Sequence, residues 1–272
     1  MIDTFINMFS YTFMLRAMIV GILISLCSAL LGVSLVLKRY SMIGDGLSHV
    51  GFGSLAVATA LGLSPLKITV PVVIIAAILL LRVSEKTRLK GDSAIGIISV
   101  TAMAVGVLSV SVSTGLNTDL YSYLFGSILA MTADDVTLSI VLSLAVIILY
   151  VVFYNRIFAV TFDEDFAKAG GTSVKLYNML IAVLTAVTIV LGMRMMGSLI
   201  ISALIIFPAV TSMRICKSYL GVTLCSAILS VVCFCIGITI SFFYDLPTGA
   251  SIVAVNAVVM VVFMIVEKII KR

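Results

Sequence analysis

The chain has a single histidine, His49, and it follows an acid, Asp45, by four residues within the stretch SMIGDGLSHV (Ser41–Val50). On a helix, residues i and i+4 share a face, so the imidazole and carboxylate heads come close enough to hold one ion. A neutral imidazole nitrogen and a carboxylate oxygen suit a divalent transition metal such as Zn²⁺ or Mn²⁺. Two ligands are too few for a tight site, because zinc usually takes four and manganese more. A second copy of the chain across a two-fold axis would supply the missing pair. The same residues admit a plainer reading. Asp45 would be a negative charge favoured near a helix N-terminus, close to Lys38 and Arg39, and His49 would hydrogen-bond a carbonyl.

The sequence that must carry this pair is very apolar. Of its 272 residues, 62% are hydrophobic and 11% charged, and the mean hydropathy is +1.31. Water-soluble domains need far more charge, so the solvent for most of the chain is lipid. Acyl chains offer no hydrogen bonds, and apolar runs of helical length point to helices rather than to a closed barrel. The expected fold is all-α, a polytopic transmembrane bundle of about nine spans (eight to nine) forming one domain over residues 1–272. Nine candidates run over 11–37, 44–63, 66–81, 92–113, 134–154, 174–192, 195–214, 219–243 and 249–270. The segment Leu120–Met131 is too short to span and is expected to lie re-entrant or along an interface. No cleavable signal peptide is expected, because the first apolar run is too long. Gly44 and Gly46 lower helix propensity around Asp45 and predict a bend or a close approach to a neighbour. A helix broken beside a polar pair is how many membrane carriers build a site at mid-depth.

Charge distribution orients the bundle. Threading nine spans puts 14 of the 17 basic residues on one side, among them Lys38, Arg82, Arg156, Lys175, Arg214 and Lys268. The positive-inside rule makes that side cytoplasmic, with the N-terminus outside and the C-terminus in the cytoplasm. The net charge of +5 is accounted for by these span ends and does not indicate nucleic acid. The five cysteines and 14 methionines read as apolar filler. Arg194 is expected to pair with an outer acid such as Asp119 or Asp245, and Pro208 to kink the seventh span.

A cytoplasmic loop at 155–173 stands out. Asp163, Glu164 and Asp165 open a short helix where the dipole favours acids. Phe162, Phe166 and Ala169 fall at helical spacing as an apolar stripe, and Gly170 and Gly171 end it. By itself this also reads as an ordinary interfacial linker.

The stretch LVLKRYSMIGDGLSHVGFGSLAVA (Leu35–Ala58) resembles the signature of the membrane permeases of zinc, manganese and iron ABC importers, the ABC-3 family. Further resemblances follow in order: GDSAIGIISV from Gly91, LYSYLFGSIL from Leu120, FDEDFAKAGG from Phe162, GSLIISALIIFPAVTS from Gly197 and DLPTGASIV from Asp245. The chain departs from the pattern at Lys38 (usually Arg), Gly46 (usually Ala), Gly53 (where Pro-Gly is common) and Ser127 (often an acid).

The resemblance implies a permease homodimer, two cytoplasmic ATPase subunits and an external metal-binding lipoprotein, in the cytoplasmic membrane of a prokaryote. It implies that Asp45 and His49 line the path of a transported Mn²⁺ or Zn²⁺, with Fe²⁺ third, and that no cofactor is bound permanently. It also implies that Phe162, Asp163, Glu164, Asp165, Phe166, Ala167 and Gly170 belong to a coupling helix docked on the ATPase. The chain has no GxxxxGK[ST] loop, so ATP hydrolysis falls to a partner and the chain is expected to be no enzyme. The alternative is a proton-coupled metal carrier with Asp45 and His49 as its relay.

Overall fold

Backbone in lipid must satisfy its own hydrogen bonds, and the chain does this with one helix after another. The computed structural model describes residues 11–86, 91–112, 126 and 132–270. Among them the helices are α1 (Thr12–Leu37), α2 (Ser41–Ala60), α3 (Pro65–Lys86), α4 (Gly91–Val112), α5 (Ala133–Val152), α6 (Tyr154–Phe162), α7 (Glu164–Ala169), α8 (Val174–Met196), α9 (Ser198–Met213), α10 (Tyr219–Tyr244) and α11 (Thr248–Ile270). Seven of these helices (α1, α3, α4, α5, α8, α10 and α11) are long and apolar enough to cross a membrane. α9 is apolar but short, and α2 carries the polar residues of interest. The segment 120–131 lies outside the described residues except for Gly126.

α1 and α8 form the centre, and they are the most deeply buried of the long helices. Small residues on α1 let its neighbours in. A Cβ at Gly21 would overlap the Phe234 ring of α10, and one at Gly32 would overlap the Ile205 carbonyl oxygen of α9. Serines use the closeness: Ser230 Oγ donates to the Ser25 carbonyl at 3.0 Å. Such small-residue seams with interhelical hydrogen bonds hold helices together where lipid supplies no hydrophobic drive. All five cysteines are free, and Met193, Met195 and Met196 are fully buried in the core.

Three expectations need correction. First, α2 runs unbroken through Gly44, Asp45, Gly46 and His49. Gly46 works by close approach instead: a Cβ there would meet Ile95 Cγ2 at 2.6 Å, across the contact with α4. Second, Met195 and Met196 end α8 rather than start the next span. The chain turns at Gly197, whose φ of +91° an L side chain rarely adopts. α9 then continues through Pro208. Third, the acid seen paired with Arg194 is Asp135, Nη2 to Oδ2 at 3.1 Å, both side chains mostly buried, while Asp119 lies outside the described residues. Asp135 also closes a capping box with Thr132 at the start of α5, so a residue of the first helical turn supplies the counter-charge.

The 155–173 region holds most of α6 and then the short helix, α7, that the three acids open and Gly170 ends. Asp163 adopts an extended conformation between α6 and α7, and its carboxylate accepts the Phe166 N–H at 2.9 Å as an N-cap. Lys38 ties this unit to the end of α1. Its ammonium donates to Glu164 Oε1 at 2.6 Å and to the Val160 carbonyl at 2.9 Å, and Asn178 Nδ2 reaches the same carboxylate at 3.1 Å. Partial burial pushes the Glu164 carboxyl up, but the hydrogen bonds from Lys38 and Asn178 and the ammonium charge outweigh it, and the net shift is downward. A depressed carboxyl stabilises the fold above its ordinary range near 4.5, and that contribution is lost as pH falls through its lowered value. Hydrogen exchange should therefore find α7 amides opening faster in acid. Glu164→Gln should open them at neutral pH and remove that acid dependence.

Candidate metal site

Asp45 lies in the second turn of α2 and His49 one turn on, on the same face. His49 Nε2 and Asp45 Oδ2 are 3.7 Å apart, a separation that admits an ion between them better than a direct hydrogen bond. The Asp45 side chain is 44% exposed and that of His49 17%, so the acid opens onto free space while the ring is held by protein. α9 contributes a third polar group. Ser202 Oγ donates to Asp45 Oδ1 at 3.3 Å, which restrains one carboxylate oxygen and leaves Oδ2 on the histidine side. Ser48, in turn, bonds the Asp45 carbonyl at 2.7 Å.

Of the two cations in the plainer reading, Lys38 is engaged with Glu164 rather than Asp45. His49 Nδ1 is buried and, among the described residues, has no hydrogen-bond partner, whereas tight metal sites anchor the far ring nitrogen of a ligating histidine. Among the described residues, no three His, Cys, Asp or Glu side chains come together around an ion. One chain brings together one carboxylate, one imidazole and a neighbouring hydroxyl.

Ser202 was invisible to sequence reasoning. It is one hydroxyl in an apolar helix, 157 positions from Asp45, and nothing local distinguishes it from the other helical serines. At the other end, Phe162 and Phe166 are 63% and 74% exposed, the Phe162 ring resting against Phe158 and Tyr219, and Asp163, Asp165 and Gly170 are exposed beside them. Ala167 is buried and Glu164 is held by Lys38, so these two face the bundle.

The family model of the ABC 3 transport family matches residues 10–267. The chain belongs to the ABC 3 transport family. This member is 31% identical over 259 residues to the high-affinity zinc uptake system membrane protein ZnuB of Haemophilus influenzae, covering 94% of this chain and 96% of that one. It is 30% identical over 252 residues to the manganese transport system membrane protein MntC of Halalkalibacterium halodurans, covering 92% and 86%. Its fold matches a chain of PsaBC from Streptococcus pneumoniae in complex with Fab, with a TM-score of 0.87 and 28% identity over 97% of this chain and 95% of that one. A putative metal-chelate type ABC transporter in an inward-facing conformation shares the fold, with a TM-score of 0.73 at 16% identity over 92% and 85%. The family member is a multi-pass protein of a prokaryotic cell membrane and a component of a transport system rather than an enzyme.

Proposed function

We propose that this family member is the permease through which a divalent transition metal, Mn²⁺ or Zn²⁺ with Fe²⁺ third, enters the cell. The observation that carries the reading is the half-site on α2: an open carboxylate and a half-buried, loosely anchored imidazole on one helix face. Two copies related by a two-fold axis would offer two oxygens and two nitrogens to one ion, and membership of an ATP-binding-cassette family supports a paired assembly. A donor set this loosely anchored can release what it binds, as a conduction path requires. Nitrogen and oxygen donors without thiolate suit both metals.

Energy would come from a pair of cytoplasmic ATPase subunits, and cargo from an external metal-binding lipoprotein. The basic side of the bundle, with α6, α7 and the C-terminus, would face the cytoplasm. There the exposed rings of Phe162 and Phe166 would insert into the ATPase. Lys38 would pass the push on to α1, and alternating access would open the half-sites first outward and then inward.

Reconstitution with the ATPase tests this. Uptake of labelled Mn²⁺ or Zn²⁺ should require ATP and survive collapse of the proton gradient. The pair Phe162→Ser and Phe166→Ser should leave the bundle folded and lower ATP-dependent uptake at least about tenfold, because exposed aromatic anchors dominate such contacts. Uptake that ignores ATP but stops when the proton gradient is dissipated would instead establish the proton-coupled reading.

A further inference from the structure

A cavity of about 580 Å³ opens between α3 and α8 at the end of the bundle that carries α6 and α7. It is lined by two cations, Arg82 and Lys175, and by four apolar side chains, Ile78, Leu81, Leu176 and Met179. The lining is ordered along the helix axes. α3 runs toward this end and α8 away from it. Ile78 precedes Arg82 by four residues, and Met179 follows Lys175 by four. Each cation thus stands one turn, about 6 Å, nearer the bundle end than an apolar residue on the same helix face. The two helices present the same layering: charge at the rim, hydrocarbon below it.

Neither cation is paired with an acid among the described residues, whose ion pairs are Lys38–Glu164, Asp45–His49, Arg194–Asp135 and Arg214–Glu267. Leu176 and Met179 are exposed at 53% and 38%, facing outward on a chain that lipid surrounds. A soluble protein partner would match the rim but leave the deeper apolar wall uncovered. A free anion would do the same. A molecule with a negative head and apolar tails matches both levels, and the volume is within the usual range for a ligand site.

We infer that this cavity is a binding site for an anionic phospholipid, its phosphate between Arg82 and Lys175 and its acyl chains along Ile78, Leu81, Leu176 and Met179. Basic pockets between membrane helices on the cytoplasmic side recognise such headgroups. A lipid seated there would bridge α3 and α8 beside the α6–α7 unit, adding a constraint where the permease meets its energy source.

Native mass spectrometry of the full chain, titrated with phosphatidylglycerol or phosphatidylcholine of identical tails, tests the site. Each cation is worth about a fivefold preference for an anionic lipid, so wild type should favour phosphatidylglycerol by roughly 30-fold. R82Q/K175Q should lose most of that preference, and R82K/K175R should keep it. Should the double variant misfold, R82Q and K175Q singly are each expected to lose about fivefold. Inorganic phosphate should not displace the lipid. Equal affinity of wild type for the two lipids, or an unchanged preference in the Gln variants, overturns the inference. So does displacement by inorganic phosphate at matching concentration, which would mark an anion site without tails. The inference also falls if the double variant keeps its lipid but no longer retains the ATPase, since the cations would then serve a protein interface.

Discussion

Asp45→Ala and His49→Ala are each expected to abolish metal uptake, by roughly 100-fold or more, while leaving the protein folded and in the membrane. In the proposed two-fold assembly every substitution is doubled, so each variant would remove half of a four-donor set. Removing even an outer partner of a metal ligand costs about 10–100-fold, and a ligand itself costs at least the upper end. The fold has little stake in either side chain. Asp45 makes one long side-chain hydrogen bond, to Ser202 at 3.3 Å, and His49 Nδ1 makes none among the described residues. Asp45→Asn should be nearly as inactive as Asp45→Ala, since it keeps the shape and loses the charge. The measurement is initial uptake of labelled Mn²⁺ and Zn²⁺ at equal protein level, with thermal melting beside it. Wild-type rates in both variants would mean that cargo crosses elsewhere.

Gly53→Val is expected to be the most damaging single change away from that site, and through folding rather than ligand loss. α2 and α4 touch backbone to backbone. A Cβ on Gly53 would overlap the Ala102 carbonyl oxygen, and one on Gly106 would sit 2.8 Å from the Gly53 Cα. Neither obstacle is a side chain that can swing away. The helices must separate, at a cost near the upper end for overpacking, about 3 kcal/mol. Separation also carries the rigid helix of Asp45 and His49 away from α9, so surviving protein should transport poorly. Gly96→Ala, on the same α4 but with nothing within 4 Å of the added methyl, should melt within about 0.5 kcal/mol of wild type. A melting curve for Gly53→Val that overlays wild type would show that the two helices can part freely.

The closeness of Asp45 and His49 on one helix face was legible because the letters are rare: one histidine in the chain, an acid four residues before it, and an apolar run around both. The helices were legible for a similar reason, since their length and apolarity are repeated along the chain. What stayed hidden were pairings across the fold. Arg194 pairs with Asp135 because α5 and α8 lie side by side, and no periodicity encodes that. Lys38 read as one more positive charge at a span end, yet it clamps α7. The glycines of α2 predicted a bend or a close approach, and only three dimensions decide between these. Gly53, noted merely as a departure from the family pattern, turned out to hold a backbone-to-backbone crossing of α2 and α4. The short helix opened by the three acids was legible, but Phe162 belongs to α6, which its helical spacing to Phe166 and Ala169 hides.

The shortness of α9 shapes the turn at its start. Sixteen residues reach about 24 Å, some 6 Å less than the fatty layer is thick. The Arg214 end is tied to α11 by a 3.0 Å link to Glu267, and the other end turns at Gly197. Main chain that leaves the helix at that depth must be wrapped by other main chain, and Gly126 and Gly249 do this, each too close to Met196 to carry a Cβ. Peptide group therefore meets peptide group at that turn, so a methyl added to either glycine has to push main chain apart instead of swinging a side chain aside.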